Sequence, residues 1–413
     1  MKTDPRAPDP RPYDVIISGG GIAGLALACL LGDAGLEICL ADPAPPQEPS
    51  KIKPSGRTAA LMEGSLNILK ACGVYDACAP HGADLVTMRI VMDMPDTPPH
   101  QAQHDFHARD IGQARFGRNL PLAMVRAYLW QRAAHIPAIH LIPAPFSRIV
   151  PETNGFITAF CADGTAHRAA LLVGADGRHS PVRAAAAIKT RTHDFGQSAI
   201  TCLIRHSKPH NNISTEFQRK GGPFTLVPMP DLSSALVWVE ETKDATRFME
   251  MSRHAFERAI QDRTKGCLGE ISLVDAPSCR PLNSLLAEKL CAPRMVLAAE
   301  AAHIIHPMGA QGLNLSLRDV AALAEIIVDT RRLGLDIGSM TTLNAYESAR
   351  RHDIRSRVAG TARLVSLTRD EHFPARFVRH TAFRALERFH GLKQSVMKHG
   401  MAPGQDDSRL LRG

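Results

Sequence analysis

The sequence predicts an α/β protein: a Rossmann-like nucleotide-binding domain interrupted by a β-sheet domain, with a helical C-terminal region. Three observations predict it. A strand, glycine turn, helix and second strand open at residue 13 in "YDVIISGGGIAGLALACLLGDAGLEICLADP". Two further nucleotide-binding features return at 174–183 and 296–314. The stretch between them, about 195 to 280, alternates apolar and polar residues as strands do. Such an order describes one discontinuous domain with a sheet inserted into it.

Residues 1–12, "MKTDPRAPDPRP", lack the apolar centre of a secretion signal and read as a disordered lead-in, so export is not expected. The short apolar runs around Val15 and Cys39 suit parallel strands covered on both faces. "PAPPQEPSKIKPSGR" is loop by its Pro, Ser and Lys content, and "TAALMEGSLNILKACGVYD" then returns to helical spacing. Arg126 begins a further helix, "RAYLWQRAA", and two strands follow about an Asp163-Gly164 turn. "RHAFERAIQDR" reads as helix, "RMVLAAE" as a buried strand, and 342–413 as largely helical and basic. The nucleotide-binding domain is therefore assigned to 13–80, 105–190 and 285–335, the sheet domain to 81–104 and 191–284, and the helical region to 336–413.

Composition bounds the partners. Hydrophobic residues make up 44% and charged residues 22%, an ordinary globular balance. No apolar run approaches the roughly 20 residues of a membrane span. A net charge of +8 suits an anionic ligand or membrane surface. Four Tyr and two Trp, without an interleaved basic-aromatic face, weigh against nucleic acid. Nine unpatterned cysteines read as core residues of a protein in a reducing compartment, and the expected setting is cytoplasmic.

Gly19, Gly21 and Gly24 form GxGxxG between a strand and a helix. The first permits the tight turn, the second admits a pyrophosphate to the backbone, and the third lets helix and strand pack closely. The helix start supplies amide donors, and Asp42, ending the second strand, is placed for a ribose hydroxyl. "LLVGADGRHSPVR" sets Asp176-Gly177 ahead of Ser180 and Arg183; a plain Asp-Gly turn is the bland reading. "LAAEAAHIIHPMGAQGLNLSLRDVAALAE" runs from an apolar strand past Glu300 and His303 into an amphipathic helix. His303 and His306 lack a carboxylate or cysteine cluster, so no metal is expected, and His303 is expected to pack or bond near the loop.

These motifs resemble the flavoprotein aromatic monooxygenases of the p-hydroxybenzoate hydroxylase fold. "RTAALMEGSLNILKACGVYD", "GPFTLVPMPDLSSALVW", "YESARRHDIRSRVAGTARLVSL" and the terminal "LKQSVMKHGM" are similar to the ubiquinone-biosynthesis hydroxylase branch, from about 13 to about 401. The resemblance implies that the discontinuous domain binds FAD. It places Asp176 at the cofactor's ribose or its surroundings and Glu300 near the ribityl chain. It sets the amides of Gln311, Gly312, Leu313 and Asn314 against the pyrimidine edge of the isoalloxazine, counts Pro307 among the cofactor-binding residues, and puts Arg57 and Arg126 near the diphosphate and flavin. It also makes "TAALM" part of an Arg-x-x-Ala-Leu helix. The implied activity is hydroxylation of a polyprenylated phenol by molecular oxygen through a flavin hydroperoxide, with NAD(P)H or a redox partner as electron donor. No catalytic base is identified.

The chain departs from the family pattern at Ala299-Glu300 (family Gly-Asp), at Ala310 (family Gly) and at Ser316 (family Gly). Alanine at a positive φ costs on the order of 1 kcal/mol, which predicts FAD binding weakened about tenfold. The stretch 373–401 sets Phe377, Phe383, Leu386 and Phe389 among Arg376, Arg379, Arg384, Arg388, Lys393 and Lys398. It suits an amphipathic helix packed on its own domain or one lying peripherally on the inner face of a membrane. Two alternatives to the ubiquinone hydroxylase stay open. One is a flavin hydroxylase of another aromatic; the other is a non-catalytic lipid-binding scaffold subunit of a quinone-biosynthesis complex.

Overall fold

A computed structural model of the chain describes residues 12–92, 103–219, 221–369, 394, 397 and 408–412. The first sheet has eight strands. Its parallel core runs in the order Met295–Leu297, Ala166–Gly174, Tyr13–Ser18, Ile38–Ala41, Ile139–Ile142. The strands are short runs of Val, Ile and Leu because helices cover them: Ile22–Asp33 packs against both Leu122–Ala134 and Gln311–Arg332. Strands Phe146–Pro151 and Ile157–Cys161 extend this sheet as an antiparallel meander on Ala166–Gly174. The meander's second turn is the expected one, with Gly164 at φ +87° and the Thr165 N–H donating to Asp163 Oδ1 at 2.9 Å.

The second sheet has nine strands and is mainly antiparallel. Its centre is the long strand Thr190–His206, paired on one side with Ser233–Glu241 and on the other with Ser278–Ala287. Strands Phe224–Met229, Ile213–Gln218, Thr87–Met92 and Gln103–His107 continue it outward. One face packs Ile200, Cys202, Phe224, Leu236 and Trp238 against the helices Thr242–Met249 and Arg253–Thr264 through Phe248 and Phe256. The strand His303–Ile304, deep in the third nucleotide-binding segment, crosses over to pair with Ser278–Ala287.

Two local expectations are corrected. "TAALM" is not helical: Thr58–Met62 is a strand paired with Gly117–Pro121, and the helix begins only at Glu63. The β-pairing and the bond from Met62 N–H to Asn314 Oδ1 (2.9 Å) outweigh the helical propensity of Ala-Ala-Leu-Met. The following helix starts at Leu122, ahead of Arg126, because Pro121 ends the strand and serves as its N-cap in an extended conformation. Helices Met340–Arg369 and Arg409–Arg412 account for most of the described part of the C-terminal region. The basic-aromatic stretch between them, like residues 1–11, lies outside the described residues, apart from Gln394 and Met397. No helix among the described residues is long and apolar enough to cross a membrane.

Candidate active site

Ligands of open parallel sheets sit beyond the carboxyl ends of the strands. Here those ends are Leu297, Gly174, Ser18 and Ala41, side by side in that order. Backbone bonds lace the segments after them: Ala175 N–H to Ser18 O (2.8 Å), Gly19 N–H to Ala41 O (2.8 Å) and Ala298 N–H to Gly174 O (3.0 Å). The three motifs, far apart in sequence, thus share one edge.

The glycine loop has the form the spacing requires. Gly19 sits at φ +107°, and a Cβ there would meet Ala175 O at 2.3 Å. A Cβ at Gly24 would meet Gly19 O at 2.0 Å, so strand and helix touch through it. At Gly21, the N-cap of helix Ile22–Asp33, a Cβ would meet nothing within 4 Å, and no side chain caps the helix. That open ground above bare amides fits a pyrophosphate. Asp42 closes the loop: its Oδ2 accepts from Gly20 N–H (2.6 Å), its Oδ1 from Ala44 N–H (2.8 Å) and Arg126 Nη2 (3.2 Å). Arg126 also donates to Gly20 O (2.7 Å) and Ala44 O (2.6 Å), which makes it the brace of the loop.

Asp176 lies directly across. Its Oδ2 accepts from Ser18 Oγ (3.1 Å) and Val182 N–H (3.3 Å), while its Oδ1 is buried with no hydrogen-bond partner among the described residues. Burial pushes the carboxyl up, against hydrogen bonds from Ser180, Val182 and Ser18. An orphaned buried acceptor is costly unless something donates to it, and a ribose hydroxyl has that chemistry. Arg183 ties this loop to the third motif by donating to Ala301 O at 2.8 Å.

In the third motif, Ala299 and Ala310 adopt φ +57° and +53°, the left-handed conformation expected where the family has glycine. Glu300 is exposed, Pro307 is half-buried, and Gly309-Ala310 turns the chain into helix Gln311–Arg332, whose start has no side-chain cap. A Cβ at Gly312 would find only Ile305 at 3.8 Å, so Gln311, Gly312 and Leu313, all half-buried, border open space. Asn314 is different: its amide is spent on the protein. Oδ1 accepts from Met62 N–H and Ser65 Oγ (2.7 Å), and Nδ2 donates to Ala60 O (2.8 Å) and Ala310 O (2.7 Å). It fixes the turn against strand Thr58–Met62, which Arg57 precedes as an exposed residue. Ser316 Oγ turns back to Gly312 O (3.1 Å).

Sequence reasoning missed what holds this motif. His303 Nε2 donates to Asp319 at 2.6 Å, both fully buried, and Asp319 also accepts from Arg350 Nε (2.8 Å) and Ala299 N–H (3.1 Å). Arg350 passes to Asp353 (2.8 Å), which takes Arg318 (2.9 Å) and Arg357 (2.7 Å); Arg357 returns to Gln311 Oε1 at 2.6 Å. Burial raises the Asp319 and Asp353 carboxyls, but the cations win and hold both below the usual range. Asp275 is a second hidden clamp, bridging Gly56 N–H (2.8 Å) and Leu203 N–H (2.6 Å) between the two domains. For Asp319, Arg350 and Asp353 the signal in sequence was a charged residue within a helix, and Asp275, in a bend after strand Ile271–Leu273, carried none. Two open clefts, one around Glu63, Asp84 and Arg115 and one around Lys189, Cys291 and Glu347, are lined by none of the three motifs.

The FAD binding domain family matches residues 12–360. The ubiquinone hydroxylase UbiL of Rhodospirillum rubrum is 32% identical over 97% of this chain and 92% of its own. The 3-demethoxyubiquinol 3-hydroxylase of Escherichia coli is 26% identical over 95% of this chain and 99% of its own. The fold is that of p-nitrophenol 4-monooxygenase PnpA from Pseudomonas putida, with a TM-score of 0.76 and 16% identity over 95% of this chain and 99% of that one. With the glycine loop, the Asp176 loop and the start of the third motif at Ala298 on one sheet edge, the chain belongs to the FAD-dependent aromatic monooxygenases, in the family of the ubiquinone-biosynthesis hydroxylases.

Proposed function

We propose that this protein hydroxylates the aromatic ring of a polyprenylated phenol in ubiquinone biosynthesis, using FAD, dioxygen and electrons from NAD(P)H or a redox partner. The observation that carries the reading is likeness to a ubiquinone hydroxylase along nearly the whole of both chains. FAD, when bound, supplies the activation of oxygen that no side chain provides. The protein's own residues bind and orient. Gly19, Gly21 and Gly24 open the helix amides to the pyrophosphate, and Asp42, braced by Arg126, faces the adenosine ribose. Asp176 offers its bare oxygen to a cofactor hydroxyl, and Arg57 and Glu300 flank the flavin side. The uncapped amides from Gln311 through Leu313, with Pro307 and Asn314 holding the turn, oppose negative charge on the isoalloxazine's pyrimidine edge. The second sheet presents the phenol.

The basic C-terminal stretch, with Arg376, Arg379, Arg384 and Arg388 among Phe377, Phe383 and Phe389, suits contact with an anionic membrane surface, where a polyprenyl tail resides. Flotation with anionic liposomes tests this, since a C-terminal truncation that floats as well as the full chain would end it. The function itself is tested by profiling quinone intermediates in a strain lacking the protein. Accumulation of one under-hydroxylated prenylphenol, cleared by re-expression, is the expected result; an unchanged quinone pool would overturn it.

A further inference from the structure

The pairing of the second sheet aligns one row across its strands. Ile90 is opposite Glu216, Glu216 opposite Thr225, Thr225 opposite Val237, and Val237 opposite Thr201, which is opposite Ser278. All six are half-buried. The opposite face beneath them is closed, with Ile200, Cys202, Phe217, Phe224, Leu226 and Trp238 packed as core. One step along the same face, Leu203, Val227 and Ala235 are buried against Ala60, Met62 and Phe116, and both Ile90 and Ala310 pack on that cluster. The row therefore lies one step from the cluster on which Ala310, in the turn that leads into helix Gln311–Arg332, packs.

Of the six residues only Glu216 is ionisable. The others offer methyl groups and hydroxyls, surroundings suited to an aromatic ring. Glu216 Oε2 accepts from Thr225 Oγ1 (3.3 Å) and Oε1 from Gln218 Nε2, which leaves lone pairs for a further donor. Among the described residues no Lys or Arg pairs with it. We propose that Glu216 receives the substrate's phenolic hydroxyl and that the row it occupies is the floor on which the ring lies. The proposal rests on the hydroxylase reading above. Burial pushes the Glu216 carboxyl up, with Thr225 and Gln218 opposing, so the ionised form is a stronger base than an exposed glutamate.

The proton accounting closes. The phenolic O–H breaks and Glu216 gains the proton while the ring carbon forms its bond to one atom of dioxygen. Two electrons and two protons enter from the donor, NAD(P)H, and solvent; with the proton that the ring carbon gives up, they supply the hydrogen of the new hydroxyl and the two of the water in which the other oxygen atom leaves. Glu216 returns its proton to the phenolate oxygen, ready for another cycle.

The test uses FAD-loaded full-length protein with 2-geranylphenol and its O-methyl ether, binding being read from the flavin absorbance. Wild type is expected to prefer the phenol by about tenfold or more, the worth of one hydrogen bond to a charged acceptor. Glu216→Leu is expected to bind both alike with FAD affinity unchanged. Glu216→Gln is expected to bind the phenol within a few-fold of wild type yet hydroxylate it at least about tenfold more slowly. Wild type without a preference, or Glu216→Leu retaining it, overturns the assignment. Should wild type hydroxylate nothing, the hydroxylase reading fails instead, and the binding preference still decides Glu216.

Discussion

Ala310 and Ala299 carry the same strained conformation but differ in what surrounds the methyl, so glycine at each position gives a different answer. An alanine in the left-handed region costs roughly 1–2 kcal/mol relative to glycine. Glycine gives back about 0.5–1 kcal/mol through the greater freedom of the unfolded chain. At Ala310, half-buried beside the exposed Gly309, little burial is lost, and Ala310→Gly is expected to stabilise by about 0.5–1 kcal/mol. At Ala299 the methyl is only 6% exposed and belongs to the main core. Deleting it forfeits about 0.8 kcal/mol, so Ala299→Gly is expected to come out near zero. Asn314 pins the Ala310 carbonyl while its other bonds reach Ala60, Met62 and Ser65, so protein contacts set the turn. The strain then falls on folding, and FAD affinity should change by less than about threefold in Ala310→Gly, well short of the roughly tenfold that the sequence alone suggested. Urea denaturation midpoints of the two variants, with and without FAD, and a flavin fluorescence titration measure all three quantities. Destabilisation by Ala310→Gly, or a larger gain at Ala299 than at Ala310, would refute the reasoning.

Asp176→Asn should separate binding from stability. A buried acid with a raised pKa is destabilised once pH exceeds its unfolded value, so the apoprotein should melt higher at pH 7, while FAD binds about thirtyfold more weakly through loss of about 2 kcal/mol. Equal FAD affinity in a titration would count against Asp176 as a ligand. Asp319→Asn removes the fully buried charge between His303 and Arg350 and leaves Arg350 only the half-buried Asp353, so it is expected to lose about 2–3 kcal/mol in chemical denaturation, where a loss under about 1 kcal/mol would show the network to be ornamental. Asp353 is held well below its ordinary pKa by Arg350, Arg318 and Arg357, so its contribution is full above about pH 4, the ordinary carboxylate value, and is lost as pH falls from there through its depressed folded value. Acid titration of Asp353→Asn should accordingly give a flatter stability curve than wild type. Asp275→Ala strands the Gly56 and Leu203 amides and is expected to cost about 1–3 kcal/mol in the same assay.

The parts of the site that were legible in the sequence are those written in backbone geometry. Gly19 and Gly24 could be read because close approach excludes a Cβ, and the left-handed turns at Ala299 and Ala310 because motif position fixes φ whatever residue fills it. Placement of the three motifs at one edge follows from strand order, which short buried strands and intervening helices predict. The contacts that hold the site together were not legible. Asp319 meets His303 and Arg350 from three different elements, and Asn314 reaches back to Ala60 and Ser65 across most of the chain. Nothing local to a helical Asp or Asn distinguishes such a partner from water. "TAALM" misled for the same reason: its local preference is helical, and the strand Gly117–Pro121 that overrides it is distant in sequence. The row containing Glu216 depends on register across several strands, which alternation shows within one strand but never between them.

Incubation of the purified protein with FAD, NADPH and a short-chain prenylphenol under isotopically heavy dioxygen reaches the central claim most directly. The account predicts flavin uptake and a ring-hydroxylated product that carries one heavy oxygen atom. A protein that acquires no flavin absorbance, or a product whose new oxygen comes from water, would contradict it.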